Sequence, residues 1–139
     1  MKRLFFLIAL LLFAGALTSQ NFKKGNVVGF HVMTFKLNEN VTKDQMRDFL
    51  ANEFAPAFNK IYKGDITLYI AKGERGDNND GISIIYLIKS LKHRNKYFPT
   101  PGGSSKLNDE NGDKLLPMFE KMDKLGTIIS DDYTDWVVM

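Results

Sequence analysis

The order in which apolar periodicities follow one another restricts this chain more than any single residue does. Val27–Leu37 reads "VVGFHVMTFKL", rich in Val, Phe and Met, and predicts a first strand. "NEN" breaks it, and Thr42 with Gln45 three residues on has the form of a capping box, in which hydroxyl and amide side chains each satisfy the other's backbone N–H. Met46, Phe49, Leu50, Phe54, Ala57, Phe58 and Ile61 then recur at three- and four-residue steps, one apolar stripe of a helix. Pro56 lies inside that stripe and lacks a backbone donor, so a kink or local break is expected near Asn52 to Ala55. Gly64 is placed to end the helix in the left-handed conformation.

The period then returns to two. In "DITLYIAKG", Ile66, Leu68 and Ile70 share one face. "ERGDNNDG" reads as a polar hairpin loop, and "ISIIYLIKS" is apolar enough to be a central strand covered on both faces. The pattern weakens from Leu91 to Asn111, where "YFPTPGGSSK" predicts a long loop or a broken helix. "DKLLPMFEKMDKLG" predicts a short amphipathic helix with Leu115, Leu116, Phe119 and Met122 inward, stopped at Gly126. "TIISDDYTDWVVM" supplies a last strand with Asp131, Tyr133 and Asp135 on one face, read as a half-exposed edge whose charges discourage further pairing. No internal repeat is visible.

The order β-α-β-β-α-β defines an α+β, ferredoxin-like arrangement: a four-stranded antiparallel sheet with both helices on one face. The other face, with Val28, Phe30, Val32 and third-strand Ile or Leu side chains, is too apolar for water. A second copy covering it is the simplest expectation, which makes the assembly a homodimer.

The 139 residues suffice for one domain with a real core and not for two. Residues 1–20, "MKRLFFLIALLLFAGALTSQ", have the layout of a secretory signal peptide: Lys2 and Arg3, an apolar run Leu4 to Phe13, then small residues. The run is shorter than the roughly 20 residues of a membrane-spanning helix. Cleavage near Ser19 or Gln20 would leave a single domain over 21–139, exported to the periplasm or secreted, with no stable membrane insertion. Without Lys2 and Arg3, 17 of the 19 basic residues remain against 16 acidic ones, so no strong field for nucleic acid is left. The chain has no Cys, and must hold together by apolar packing.

"FHVMTFKLNENVTKDQMRDFL" (residues 30–50) resembles the opening of the stress-responsive dimeric α/β-barrel (Dabb) domain family, which begins with a histidine in strand one, a Phe-Lys pair, a polar turn and a capped helix. The likeness is strongest over residues 29 to 54 and implies pairing as a dimeric α/β barrel. It also implies that His31, Met33 and Phe35 face the helices and line a cavity within the subunit, which Phe49 and Leu50 close. Strand alternation independently puts residues 29, 31, 33, 35 and 37 on one face. Glu53 departs from the pattern, standing where an aromatic residue is usual. Beside a strand histidine its carboxylate could orient the ring and form an acid/base pair; the plainer alternative leaves Glu53 in water and His31 bonded to a backbone carbonyl.

The wider superfamily includes cofactor-free monooxygenases and a polyketide cyclase. The cyclase segment "Y…HP..H" is matched here by "KHRNKYFPTPGG" only at Pro99, with Phe98 in place of the first histidine and no histidine after it, so the cyclase mechanism does not carry over. Neither "DNNDG" nor "NDENGD" has the first and twelfth ligands of a calcium loop, and two distant histidines do not make a zinc site. No metal and no cofactor is expected. The expectation is an exported protein that binds a small apolar or aromatic ligand, with Met33, Phe35, Phe49, Leu50 and Phe54 as walls and His31 as polar group. The alternatives are a cofactor-free monooxygenase- or cyclase-like enzyme with His31 as general base, assisted by Glu53 or Tyr97, and a structural or protein-interaction module.

Overall fold

The computed structural model describes residues 22–139; residues 1–20, read above as a signal peptide, lie outside them. Four strands, β1 (Val27–Leu37), β2 (Ile66–Lys72), β3 (Ile82–Ile88) and β4 (Gly126–Val137), form one sheet in the order β2-β3-β1-β4. All three pairings are antiparallel. Helices α1 (Lys43–Phe49), α2 (Ala55–Tyr62) and α4 (Lys106–Leu125) follow the first and third strands, with a short α3 (Leu91–Tyr97) leading into the second crossover. This is the ferredoxin-like α+β fold: each crossover skips one strand, so sequence neighbours β1 and β2 are separated by β3.

The first crossover begins where the capping box placed it. Thr42 Oγ1 accepts from the Gln45 amide at 3.2 Å, and Gln45 Oε1 accepts from the Thr42 amide at 2.8 Å. The break expected near Pro56 is a π-helical turn over Leu50–Phe54, with Pro56 in the first turn of α2 that follows. The wider turn absorbs the residue that would otherwise carry the proline ring into the preceding carbonyl. Gly64 takes the expected left-handed conformation (φ 74°), and Lys63 before it does so too (φ 50°), returning its N–H to Asn59 O at 3.1 Å.

The second crossover departs further from the sequence reading. Leu91–Asn111 holds a real helix, α3, capped by Ser90, and α4 starts at Lys106 under Ser105 rather than at Asp113. Its first two turns, "KLNDENG", carry hardly any apolar signal, which is why periodicity missed them. On α4, Leu115 is buried, Met118, Met122 and Leu125 pack against the core, and Leu116 is 53% exposed. At about 100° per residue, Leu116 cannot share the Leu115 stripe. Phe119 lies at its edge, its ring 5.6 Å from that of Phe54.

Helices α1, α2 and α4 cover the face carrying Val27, Leu68, Ile84 and Ile88, and enclose fully buried Met46 and Leu50. The outer edge of β2 is closed by Asn59 on α2. Its side-chain amide donates to Leu68 O at 3.0 Å and accepts from Leu68 N at 2.7 Å, standing in for a fifth strand. On the uncovered face, register aligns Trp136 with Val28 and Leu87, and Phe30 with Ile85 and Tyr69. Trp136 is 60% exposed, Phe30 40% and Tyr69 41%.

Candidate functional site

Strand register brings His31 together with residues distant in sequence. His31 stands opposite Tyr133 on β4 and Ile84 on β3; Gly29 stands opposite Asp135 and Tyr86. All point to the helix-covered face. The His31 ring lies 4.4 Å from that of Tyr133 and 5.6 Å from that of Tyr86, which in turn is 5.8 Å from Phe58 on α2. The absent side chain of Gly29 makes this possible: a Cβ there would meet Tyr133 Oη at 2.6 Å. Tyr133 therefore lies across the strand, and its hydroxyl donates to Asp135 Oδ1. Burial, reinforced by that carboxylate, pushes the Tyr133 phenol well above its ordinary value.

Above these rings is a cavity of about 610 Å³. Its floor is His31, Tyr86, Ile66 and Ile88, with Tyr133 and Asp135 along β4; its outer wall is Arg94 of α3 and the segment from Phe98 to Ser104. A lock away from the cavity fixes that wall. Asp65, at the entry to β2, accepts from Lys96 at 2.9 Å, Lys89 at 3.0 Å and the Tyr97 hydroxyl at 3.1 Å. Those partners, the Lys96 ammonium foremost, hold the Asp65 carboxyl below the usual carboxylate range. Tyr62 and Tyr97 pack ring to ring at 5.1 Å, and the Tyr62 hydroxyl, pushed up to about 12 by burial, donates to Asn108 of α4. With α3 anchored, Arg94 Nη1 reaches Asp135 Oδ2 at 3.3 Å. The following segment folds back through Gly103 N to Thr100 O, with Gly102 at φ 70°, a conformation that favours glycine.

Of the ligand-binding and catalytic candidates named from the sequence, His31 lines this cavity and the others do not. Tyr97 is buried behind the wall with its hydroxyl committed to Asp65, so it positions α3 rather than meeting a ligand. Glu53 belongs to a shallower groove with Phe49, Lys121 and Lys124, and accepts from Lys121 Nζ at 2.5 Å. The π-turn that carries it faces α4 and not the β1–β4 seam, so an acid/base pair with His31 is corrected to a half-exposed ion pair. Leu50 and Phe54 are core, and Met33 and Phe35 pack against that core. The apolar walls are instead Phe58, Ile66, Tyr86, Ile88 and Phe98. Tyr133 and Asp135, read as the charged face of an edge strand, turn inward. Their shared face was legible; that β4 pairs with β1 so as to set them against His31 was not. Among the described residues there is no cluster able to hold a metal, and no helix is long and apolar enough to cross a membrane.

No protein-family model matches the chain, and no curated protein matches it. Among solved structures, one similar chain is a dimeric protein of unknown function and ferredoxin-like fold from Bacteroides fragilis. It is 12% identical, with a TM-score of 0.39, and the match covers 84% of this chain and 99% of that one.

Proposed function

We propose that this is an exported protein that binds a small, largely aromatic molecule in the cavity between sheet and outer wall. The observation that carries the reading is the cavity itself: about 610 Å³ bounded by aromatic and aliphatic side chains, with His31, Tyr133, Arg94 and Asp135 as a few convergent polar groups. Sites of roughly 300–1,000 Å³ with that composition suit ligands of several rings. A second copy of the chain covers the open sheet face, where Trp136, Phe30 and Tyr69 stand exposed. Export rests on the basic start and apolar run of residues 1–20.

The test is native mass spectrometry of protein purified without denaturation. The expected result is a dimer mass with an added small molecule on each subunit, the addition being lost in Thr100→Trp, which fills the cavity from its outer wall. Apo protein that also fails to take up naphthalene, 2-naphthoate and quinolin-2(1H)-one would overturn the reading. A cofactor-free enzyme is the second reading, favoured by the contact of His31 with Tyr133 and of Tyr133 with Asp135. In it His31 is the general base, and the ligand is chemically altered by the native protein and left intact by His31→Gln.

A further inference from the structure

We propose that the cavity selects a neutral, flat aromatic ligand whose edge carries a carbonyl beside an N–H, as in a lactam fused to an aromatic ring; this rests on the binding reading above. Arg94 and Asp135 stand side by side on the cavity wall, with Nη1 and Oδ2 3.3 Å apart. Among the described lining residues they are the fixed charges, and they cancel. An anionic ligand drawn to Arg94 meets the Asp135 carboxylate at once, and a cationic one drawn to Asp135 meets the guanidinium, so net charge gains little in either sense.

Both groups nevertheless retain hydrogen-bonding capacity. A guanidinium has five N–H donors. Arg94 uses Nη1 in its ion pair, and its partly exposed guanidinium keeps Nη2 as a donor beside the carboxylate. Asp135 spends Oδ1 on the Tyr133 hydroxyl, and a carboxylate has about four acceptor sites in all. A charged donor and a charged acceptor in adjacent positions are complementary to a ligand edge with an acceptor and a donor in adjacent positions. The rest of the molecule meets rings: Phe58, Tyr86, Phe98 and Tyr133. Their faces and edges favour a planar partner over a globular aliphatic one of equal area.

Calorimetric titration of the full mature protein with three bicyclic probes tests this: quinolin-2(1H)-one with the paired edge, naphthalene with none, and 2-naphthoate with an anion. The quinolinone is expected to bind about tenfold more tightly than either of the others, a margin in keeping with one or two hydrogen bonds to charged groups. Arg94→Gln and Asp135→Leu should each erase most of that margin. Equal binding of quinolinone and naphthalene would overturn the inference and leave a purely apolar binding cavity. Tightest binding of 2-naphthoate would overturn it in favour of an anion site. Failure of all three probes would overturn the binding reading itself. If either variant does not fold, the probe series on the native protein still decides.

Discussion

Gly29→Ala should disturb the site through a single methyl group. The new Cβ would lie 2.6 Å from Tyr133 Oη, 2.8 Å from Cε2 and 3.0 Å from Cζ, with Gly29 in ordinary strand conformation. Non-bonded contacts settle near 3.5–4.0 Å, so the phenol must retreat by about 1 Å or more. Tyr133 lies on an edge strand and is half exposed, so the ring can swing outward instead of forcing the backbone apart. Doing so breaks its bond to Asp135, and a hydrogen bond to a charged group contributes about 1.5–3 kcal/mol. Partial exposure reduces that figure, and replacing Gly by Ala returns about 0.4–1 kcal/mol through the unfolded chain. A net loss of about 1 kcal/mol follows, read as a lower urea midpoint at unchanged slope. The raised phenol pKa of Tyr133 should fall back towards the ordinary tyrosine range, visible by ultraviolet titration against Tyr133→Phe as blank. The decisive measurement is the double-mutant cycle with Tyr133→Ala. In that background Gly29→Ala should be neutral or slightly stabilising; an undiminished loss would show that the ring contact is not the cause.

Leu115→Ala should cost about 2–5 kcal/mol as a buried large-to-small change, whereas Leu116→Ala, on the exposed side of α4, should stay within about 0.5 kcal/mol; thermal melts of the pair check the face assignment. Because the folded Asp65 carboxyl titrates below its unfolded value, its contribution is present above about pH 4 and is lost as pH falls through the lower folded value. Asp65→Asn should therefore be less stable at neutral pH and show a shallower acid-unfolding curve, with cavity binding weakened as α3 loosens. Trp136→Glu on the open sheet face should shift the sedimentation equilibrium from dimer to monomer, and an unchanged dimer would place the interface elsewhere. Protein recovered from the exported fraction should begin near Asn21 on N-terminal sequencing.

The order of periods was enough for the four strands, the two crossovers between them and the antiparallel hairpin of β2 and β3, while the short α3 was not legible in it. The capping box at Thr42 and the break ahead of Pro56 were likewise local, since each depends on residues within one turn of a helix. The polar first turns of α4 escaped because a solvent-facing helix start leaves no apolar rhythm to read. Leu116 was assigned inward because adjacent leucines look alike to composition and differ only in angle about the helix axis.

The site is the part that sequence could not assemble. His31 and Tyr133 are about a hundred residues apart, and nothing local says that they stand opposite each other; pairing of β4 with β1 says it. Glu53 is near His31 in sequence-pattern terms, yet the turn that carries it docks against α4 and Lys121. Arg94 reaches Asp135 because Asp65 anchors α3 to the far edge of the sheet. Sequence alone determined the four strands, the first crossover helix and the alternation that puts His31 on one face with Met33 and Phe35, because those depend on periods of two and 3.6 within one segment. Only the tertiary structure decided which polar groups share a cavity, because that depends on strand register and helix docking summed over the whole chain.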